Sequence, residues 1–225
     1  MANILCLETA TTNCSVAVAV KGACAALKET NAERYMHSEQ LHVYSKAAVA
    51  MAGLTLSDLD AVAVSKGPGS YTGLRIGVSA AKGLCYALDL PLIAIPTLQS
   101  IAMQLEVPKD EVIIATLDAR RMEVYSSVFN ANYKAIRDTR AEIVNEDSFA
   151  EFLQYPKVHW VGNGAQKCKE LLEGANRFFY PELVPSAKEM VVLAHQKYAA
   201  GTFEDVAYFE PYYLKDFVLQ GGTKS

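Results

Sequence analysis

The sequence predicts a duplicated α/β fold, built as two mixed sheets covered by helices. Two observations carry that prediction. The order strand, strand, strand, helix, strand, helix occurs twice along the chain. At 225 residues the chain is also long enough to bury roughly 70–75 % of its unfolded surface, so it needs no disulfide or metal staples.

In the first copy, residues 3–8 read as a buried strand, 14–20 as its hairpin partner and 23–30 as a third strand. Thr11-Thr12-Asn13 and Lys21-Gly22 supply the turns. A helix follows from Ser38 to about Met51, with Leu41, Tyr44, Ala48 and Met51 on one face and Gly53 just past its end. Ala61–Val64 is the next strand, and Leu74, Val78, Ala81, Cys85 and Leu88 mark a second helix. A short strand at Pro91–Ile95 and a short helix from Thr97 to about Gln104 close this half.

The second copy begins with a hairpin at 111–118 and 121–129 and a weaker strand at 134–143. A helix near 147–154, a strand at 158–161, a helix at 163–173 and a last helix at 186–199 complete it. The division falls near Glu106-Val107-Pro108-Lys109, giving an N-terminal unit of 1–105 and a more degenerate one of 106–225. The aromatic segment Glu210-Pro211-Tyr212-Tyr213-Leu214-Lys215 is expected to dock, and residues 220–225 to fray.

Half the residues are apolar, a fifth are charged and the net charge is −4, an ordinary globular composition. A mildly acidic chain is poorly suited to bind nucleic acid alone, because that affinity comes from neutralising phosphates. Five cysteines without a Cys-x-x-Cys pair fit a reducing compartment. The chain carries no signal-type leader and no apolar stretch of membrane-spanning length, so a cytoplasmic location is expected.

The stretch Lys66-Gly67-Pro68-Gly69-Ser70-Tyr71-Thr72-Gly73-Leu74-Arg75-Ile76-Gly77 lies at a strand-to-helix turn. Ser70 or Thr72 can cap the helix. Arg75 falls in the first turn, where the macrodipole disfavours a cation. Lys66 and Arg75 flank a helix N-terminus that favours anions, yet a plain glycine-rich turn explains the same residues. The loop is not a Walker A motif. Glu8-Thr9 and Asp118-Ala119 end the first strands of the two halves, where an actin-like duplicated fold places nucleotide-serving acids. The residues of such an anion or nucleotide cleft are Glu8, Thr9, Lys66, Gly67, Gly69, Ser70, Arg75, Asp118 and Arg120.

No catalytic constellation emerges. Of the four histidines, His37 and His42 are five apart and diverge on a helix. Both are read as solvent-facing, His159 as structural and His195 as a surface residue. Neither a His-Glu-x-x-His motif nor a Gly-x-Ser-x-Gly elbow is present. The run Leu117–Tyr125 concentrates charge at a hairpin turn, either solvated or presenting its arginine pair to the cleft or to a partner. Both major helices carry apolar or small residues on more than one stripe. They are either an internal layer or a surface that buries a partner.

Ile4–Thr11, His37-Ser38-Glu39, Lys66–Gly77, Leu117–Tyr125 and Glu210–Lys215 occur in the order found in the bacterial TsaB (YeaZ) family, which the chain resembles over most of its length. The resemblance implies an actin-like (ASKHA, ribonuclease-H-like) fold. It also implies a role in making N6-threonylcarbamoyladenosine on tRNAs that read codons beginning with A. The family resembles a shortened paralogue of the transferase TsaD, and Thr97 and Ile101 stand where TsaD carries two metal-binding histidines. A non-catalytic scaffold is therefore implied, and older endopeptidase labels in the family are doubtful. Glu8 departs from the aspartate usual in the family. TsaD is the implied partner, bound through the two major helices by Leu41, Tyr44, Ala48, Leu74, Val78 and Ala81, with the ATPase TsaE joining. The same surface would form a homodimer when TsaD is absent. No tightly bound cofactor is implied. ATP and magnesium would act in the complex, and tRNA would be reached through it. The alternative is an ATP-binding small-molecule kinase or ATPase of the actin-like superfamily.

Overall fold

The computed structural model describes residues 2–32 and 36–214. Lys215 and residues 220–225 lie outside the described residues. The first half contains β1 (Asn3–Glu8), β2 (Asn13–Val20), β3 (Ala23–Asn31), α1 (His37–Met51), β4 (Ala61–Gly67), α2 (Tyr71–Leu88), β5 (Leu92–Pro96) and α3 (Thr97–Ala102). The second contains β6 (Val112–Asp118), β7 (Glu123–Asn130), β8 (Ala135–Ile143), β9 (Val158–Val161), α4 (Ala165–Leu172), β10 (Arg177–Tyr180) and α5 (Ala187–Ala199).

The strands form two five-stranded sheets, ordered β3-β2-β1-β4-β5 and β10-β9-β6-β7-β8. In each, the first three strands are antiparallel and the last two add in parallel. The topology is thus duplicated as expected, with β6 standing where β1 stands in the other half. Both are central strands covered on two faces, which is why they read as continuous apolar runs. Along β1, Leu5 and Leu7 face α1 and α2, while Ile4 and Cys6 face α5. Along β6, Ile114 packs with Trp160 and α4, and Ile113 and Ala115 pack against α3.

The helices do not stay with their sequence neighbours. Leu98, Ile101 and Ala102 of α3 pack on the second sheet, and Met190, Val191 and Ala194 of α5 pack on the first. Polar groups lock the start of α5 in place. Ser186 caps it, accepting from Lys188 N at 3.2 Å, and donates to Glu29 at 2.7 Å. Ala187 N donates to Ser15 Oγ at 3.0 Å, and Asn13 Nδ2 to the Pro185 carbonyl at 3.0 Å. Glu29 also places a carboxylate near the positive end of the helix.

Two expectations in the second half need correction. The helix expected at 147–154 is a single 3-10 turn, Ala150–Phe152. Asn145 and Ser148 instead bond the local backbone, with Asp147 N to Asn145 Oδ1 at 3.0 Å and Asn145 N to Ser148 Oγ at 2.9 Å. Such side-chain bonds compete with helix formation. Phe149 and Phe152 then turn into the core beneath the Arg137 guanidinium. The second correction is β10, a four-residue strand that the sequence reading passed over; its signal was the aromatic run Phe178-Phe179-Tyr180.

Replacing Ser186 by alanine removes both the α5 cap and a Glu29 bond, and should cost about 1–2 kcal/mol. Urea unfolding followed by hydrogen exchange checks this, with protection lost first in α5.

Candidate functional site

The glycine-rich stretch is first a packing device. Gly69, Gly73 and Gly77 recur every four residues and line the side of α2 that meets the end of β1. A Cβ on Gly69 would sit 2.5 Å from the Ala10 carbonyl oxygen; on Gly73 it would run into the Thr9 carbonyl, and on Gly77 into the Thr9 hydroxyl. Ser70 N donates to the Ala10 carbonyl at 2.7 Å, and Ser70 rather than Thr72 caps α2, accepting from Gly73 N at 3.3 Å.

This seam seals Glu8. Its side chain is fully buried, one oxygen accepts from Ala10 N at 2.6 Å, and the other has no partner among the described residues. Burial pushes its pKa up to about 7, against the pull of those backbone bonds. The Thr9 hydroxyl is also buried without a bond. Glu8 therefore offers no exposed oxygen to a solvent-borne cation. His37 joins the same region, contrary to the expectation of a solvent-facing side chain. It is buried, and its Nε2 meets the Thr11 carbonyl at 2.7 Å, while burial lowers its pKa. His42 is exposed as expected.

The cations of the loop are occupied by the C-terminal segment. Tyr212 N donates to the Lys66 carbonyl at 2.7 Å. The Tyr212 carbonyl lies over Gly67, whose φ of +108° already disfavours any side chain. The Lys66 ammonium stands 5.9 Å from the Tyr212 ring centre. Arg75 Nε donates to the Tyr213 hydroxyl at 3.2 Å, and its guanidinium lies 4.2 Å from the Tyr71 ring centre. Farther along α2, Lys82 Nζ bonds the carbonyls of Ala207 and Phe209 at 3.0 and 3.1 Å. Glu204 N continues the strap by donating to the Leu92 carbonyl at 2.9 Å. Arg75, the fifth residue of α2, thus holds the docked tail expected from the sequence.

Asp118 and Arg120 lie elsewhere, at the β6–β7 turn. Asp118 accepts from Lys167 Nζ at 2.7 Å and from Arg120 N at 2.6 Å. Among the described residues, no hydrogen bond or ion pair joins either side chain to the glycine stretch. The nine residues grouped from sequence are thus distributed over the sealed β1–α2 seam, the clasped loop and the β6–β7 turn.

The two major helices lie side by side on one face of the first sheet. Leu41, Ala48, Leu74, Val78 and Ala81 are buried against that sheet, and the half-buried Tyr44 bonds Thr30 through its hydroxyl at 2.6 Å. These residues form the internal layer, one of the two readings open from the sequence, rather than the contact with a partner that the resemblance implies for them. Between the same helices, however, Ser38, His42, Arg75, Ile76, Ser79, Ala80, Gly83 and Leu84 line an open groove of about 630 Å³. Val43, Met51 and Tyr86 stand exposed on these helices. The sequence could not separate these faces, because apolar residues mark more than one stripe of each helix.

Among the described residues, no three His, Cys, Asp or Glu side chains cluster as a metal site. Thr97 accepts from Gly67 N at 3.2 Å, and Ile101 is a core residue. Burial raises the Cys14 and Cys85 thiols to about 11 and Cys168 to about 12, opposite to the shift that activates a nucleophile. His159 is buried and bonded to Glu111 at 2.6 Å, and Phe178 stacks on its ring.

A family model described as TsaD, tRNA N6-adenosine threonylcarbamoyltransferase, matches residues 30–221. A protein of Escherichia coli named tRNA threonylcarbamoyladenosine biosynthesis protein TsaB is 30% identical, covering 96% of this chain and 95% of that one. The Bacillus subtilis protein of the same name is 32% identical over 70% of each chain. The solved structure of YeaZ from Pseudomonas aeruginosa superposes with a TM-score of 0.81 at 25% identity, covering 95% of this chain and all of that one.

Two expectations test the seam. Gly73→Ala should cost about 3 kcal/mol by overpacking against backbone, whereas Gly83→Ala, with open space around it, should gain about 0.5–1 kcal/mol of helix propensity. Chemical denaturation compares them. In the second, Glu8 keeps its proton in the folded state up to about pH 7 but loses it near pH 4.5 when unfolded. Its stabilising effect is full below pH 4.5 and declines as pH rises to about 7, a change of about 3 kcal/mol. Glu8→Gln should remove that decline, read from paired melts at pH 4.5 and 8.

Proposed function

This chain belongs to the TsaB family of tRNA threonylcarbamoyladenosine biosynthesis proteins, and we propose that within that pathway it is a non-catalytic subunit that docks a TsaD-type partner along the α1–α2 groove. The groove carries the reading. Ala80 and Gly83 let another helix approach closely, while Ile76 and Leu84 offer apolar area to bury. His42, Ser38 and Arg75 form a polar margin. The residues that resemblance assigned to the interface, five buried and Tyr44 half-buried, act one layer below, by holding α1 and α2 in register on the sheet.

The non-catalytic part rests on chemistry. The positions that the resemblance matches to TsaD's metal-binding histidines are Thr97 and Ile101, both built into packing. The thiols described above are held protonated, and Glu8 is sealed. Among the described residues, no group of three His, Cys, Asp or Glu side chains is placed to hold a metal for peptidase chemistry. The kinase or ATPase alternative would need Lys66 and Arg75 for phosphate, yet both face the chain's own tyrosines. On this reading, ATP, magnesium, tRNA and a TsaE-type ATPase meet the assembly rather than a pocket of this chain. A homodimer would use the same groove and compete with the partner.

Size-exclusion chromatography with light scattering, mixing the chain with its own organism's TsaD, tests the proposal. A heterodimer is expected, and Gly83→Arg should weaken it by about tenfold or more while leaving the melting temperature unchanged or higher. Independent elution of the two proteins, even with the ATPase and ATP present, would refute the docking. Modification of tRNA at an undiminished rate without this chain would refute the scaffold role.

A further inference from the structure

The hairpin turn between β6 and β7 holds two arginines that the α1–α2 docking does not use. Arg120 and Arg121 are consecutive, exposed, and both lie in the left-handed region, with φ of +69° and +48°. Glycine and asparagine suit that region, and a long side chain there is uncommon. The turn is rigid nonetheless. Ala119 N donates to the Glu123 carbonyl at 3.0 Å, Glu123 N to the Arg120 carbonyl at 3.1 Å, and Arg120 N to Asp118 Oδ1 at 2.6 Å. Asn163 accepts from Asp118 N at 2.9 Å, and Lys167 reaches both Asp118 and the Glu123 carbonyl.

These bonds also use up the local acids. Asp118 is paired with Lys167, and Glu142 with Arg137 and Arg140. Glu123 is half-buried, with a partner of its own. Among the described residues, neither the Arg120 nor the Arg121 guanidinium has an ion pair or hydrogen bond. Beside them stand two exposed apolar side chains, Met122 and Ile143, the latter 70 % exposed. They are neighbours, because Val144 N donates to the Met122 carbonyl at 2.7 Å and Ile143 pairs with Glu123.

We infer that Arg120, Arg121, Met122 and Ile143 form a second docking surface, separate from the α1–α2 groove, for a protein segment that carries carboxylates beside an apolar side chain. Two planar guanidiniums match carboxylates in bidentate geometry. Arginine and methionine around a small apolar centre are typical of protein interfaces. RNA phosphates would satisfy the arginines but leave Met122 and Ile143 uncovered. The chain's net charge of −4 also supplies no wider basic field for a nucleic acid. The hydrogen-bonded turn fixes the backbone from which both arginines project.

The test uses the full chain and three fluorescently labelled probes, each of about twelve units. One is a peptide alternating glutamate and leucine, the second replaces glutamate by glutamine, and the third is single-stranded RNA. Polarisation titrations should show salt-sensitive binding of the acidic peptide alone. The double variant Arg120→Asn/Arg121→Gly should weaken it by about tenfold or more, and Ile143→Ser by about threefold. The double variant should melt no lower than the parent, since its residues fit the left-handed backbone. Arg121→Glu should also abolish binding, giving a second reading if the double variant fails to fold. Tighter binding of RNA, equal binding of the glutamine peptide, or no peptide binding would overturn the inference. So would variants that lose stability but keep the peptide, which would make the arginines structural.

Discussion

Close backbone contact between α2 and the end of β1 governs much of the first half. The helix must approach Thr9 and Ala10 to within the space of a hydrogen atom, which three glycines four residues apart permit. Once α2 is seated there, its inner face supplies Leu74, Val78 and Ala81 to the sheet, and its outer face forms one wall of the groove with α1. Sealing Glu8 follows from the same approach. Its carboxyl loses water, and that loss outweighs the bonds it gains from Ala10, Ser65 and Thr9, so its pKa rises to about 7.

The exchange of helices between halves makes the two sheets one structure. Were each sheet covered only by its own sequence neighbours, the first would expose Ile4, Cys6, Ile93 and Ile95. Instead α5 covers them, pinned through Ser15, Glu29 and Ser186. The segment after α5 then returns along α2 and ends at the glycine loop. There it converts two cations, badly placed for a helix start, into ligands for tyrosine rings and a tyrosine hydroxyl. Arg75 lines the groove as well as holding the strap, so the strap and the proposed docking face share a residue.

Much of this was legible because strands and helices differ in apolar period. Residues 61–64 and 111–118 read as strands through the apolar runs Ala61–Val64 and Val112–Ala115, and Gly53 and Ser70 marked helix ends. The 147–154 segment misled because its apolar residues fall at helical spacing, while Asn145 and Ser148 draw the backbone into turns. His37 misled for a related reason. Its burial depends on Thr11, which is distant in sequence and offers its carbonyl only after β1 and α1 have packed.

The sequence by itself determined the duplicated α/β order and the glycine spacing, because these follow from local periodicity and residue type. The tertiary structure alone decided which face of each major helix is buried. It also decided where Arg75 and Lys66 find partners, and that Glu8 is closed off from solvent while the Arg120 and Arg121 guanidiniums have no ion pair among the described residues. Those outcomes depend on contacts between segments far apart in the chain, and no local pattern encodes which distant group will arrive.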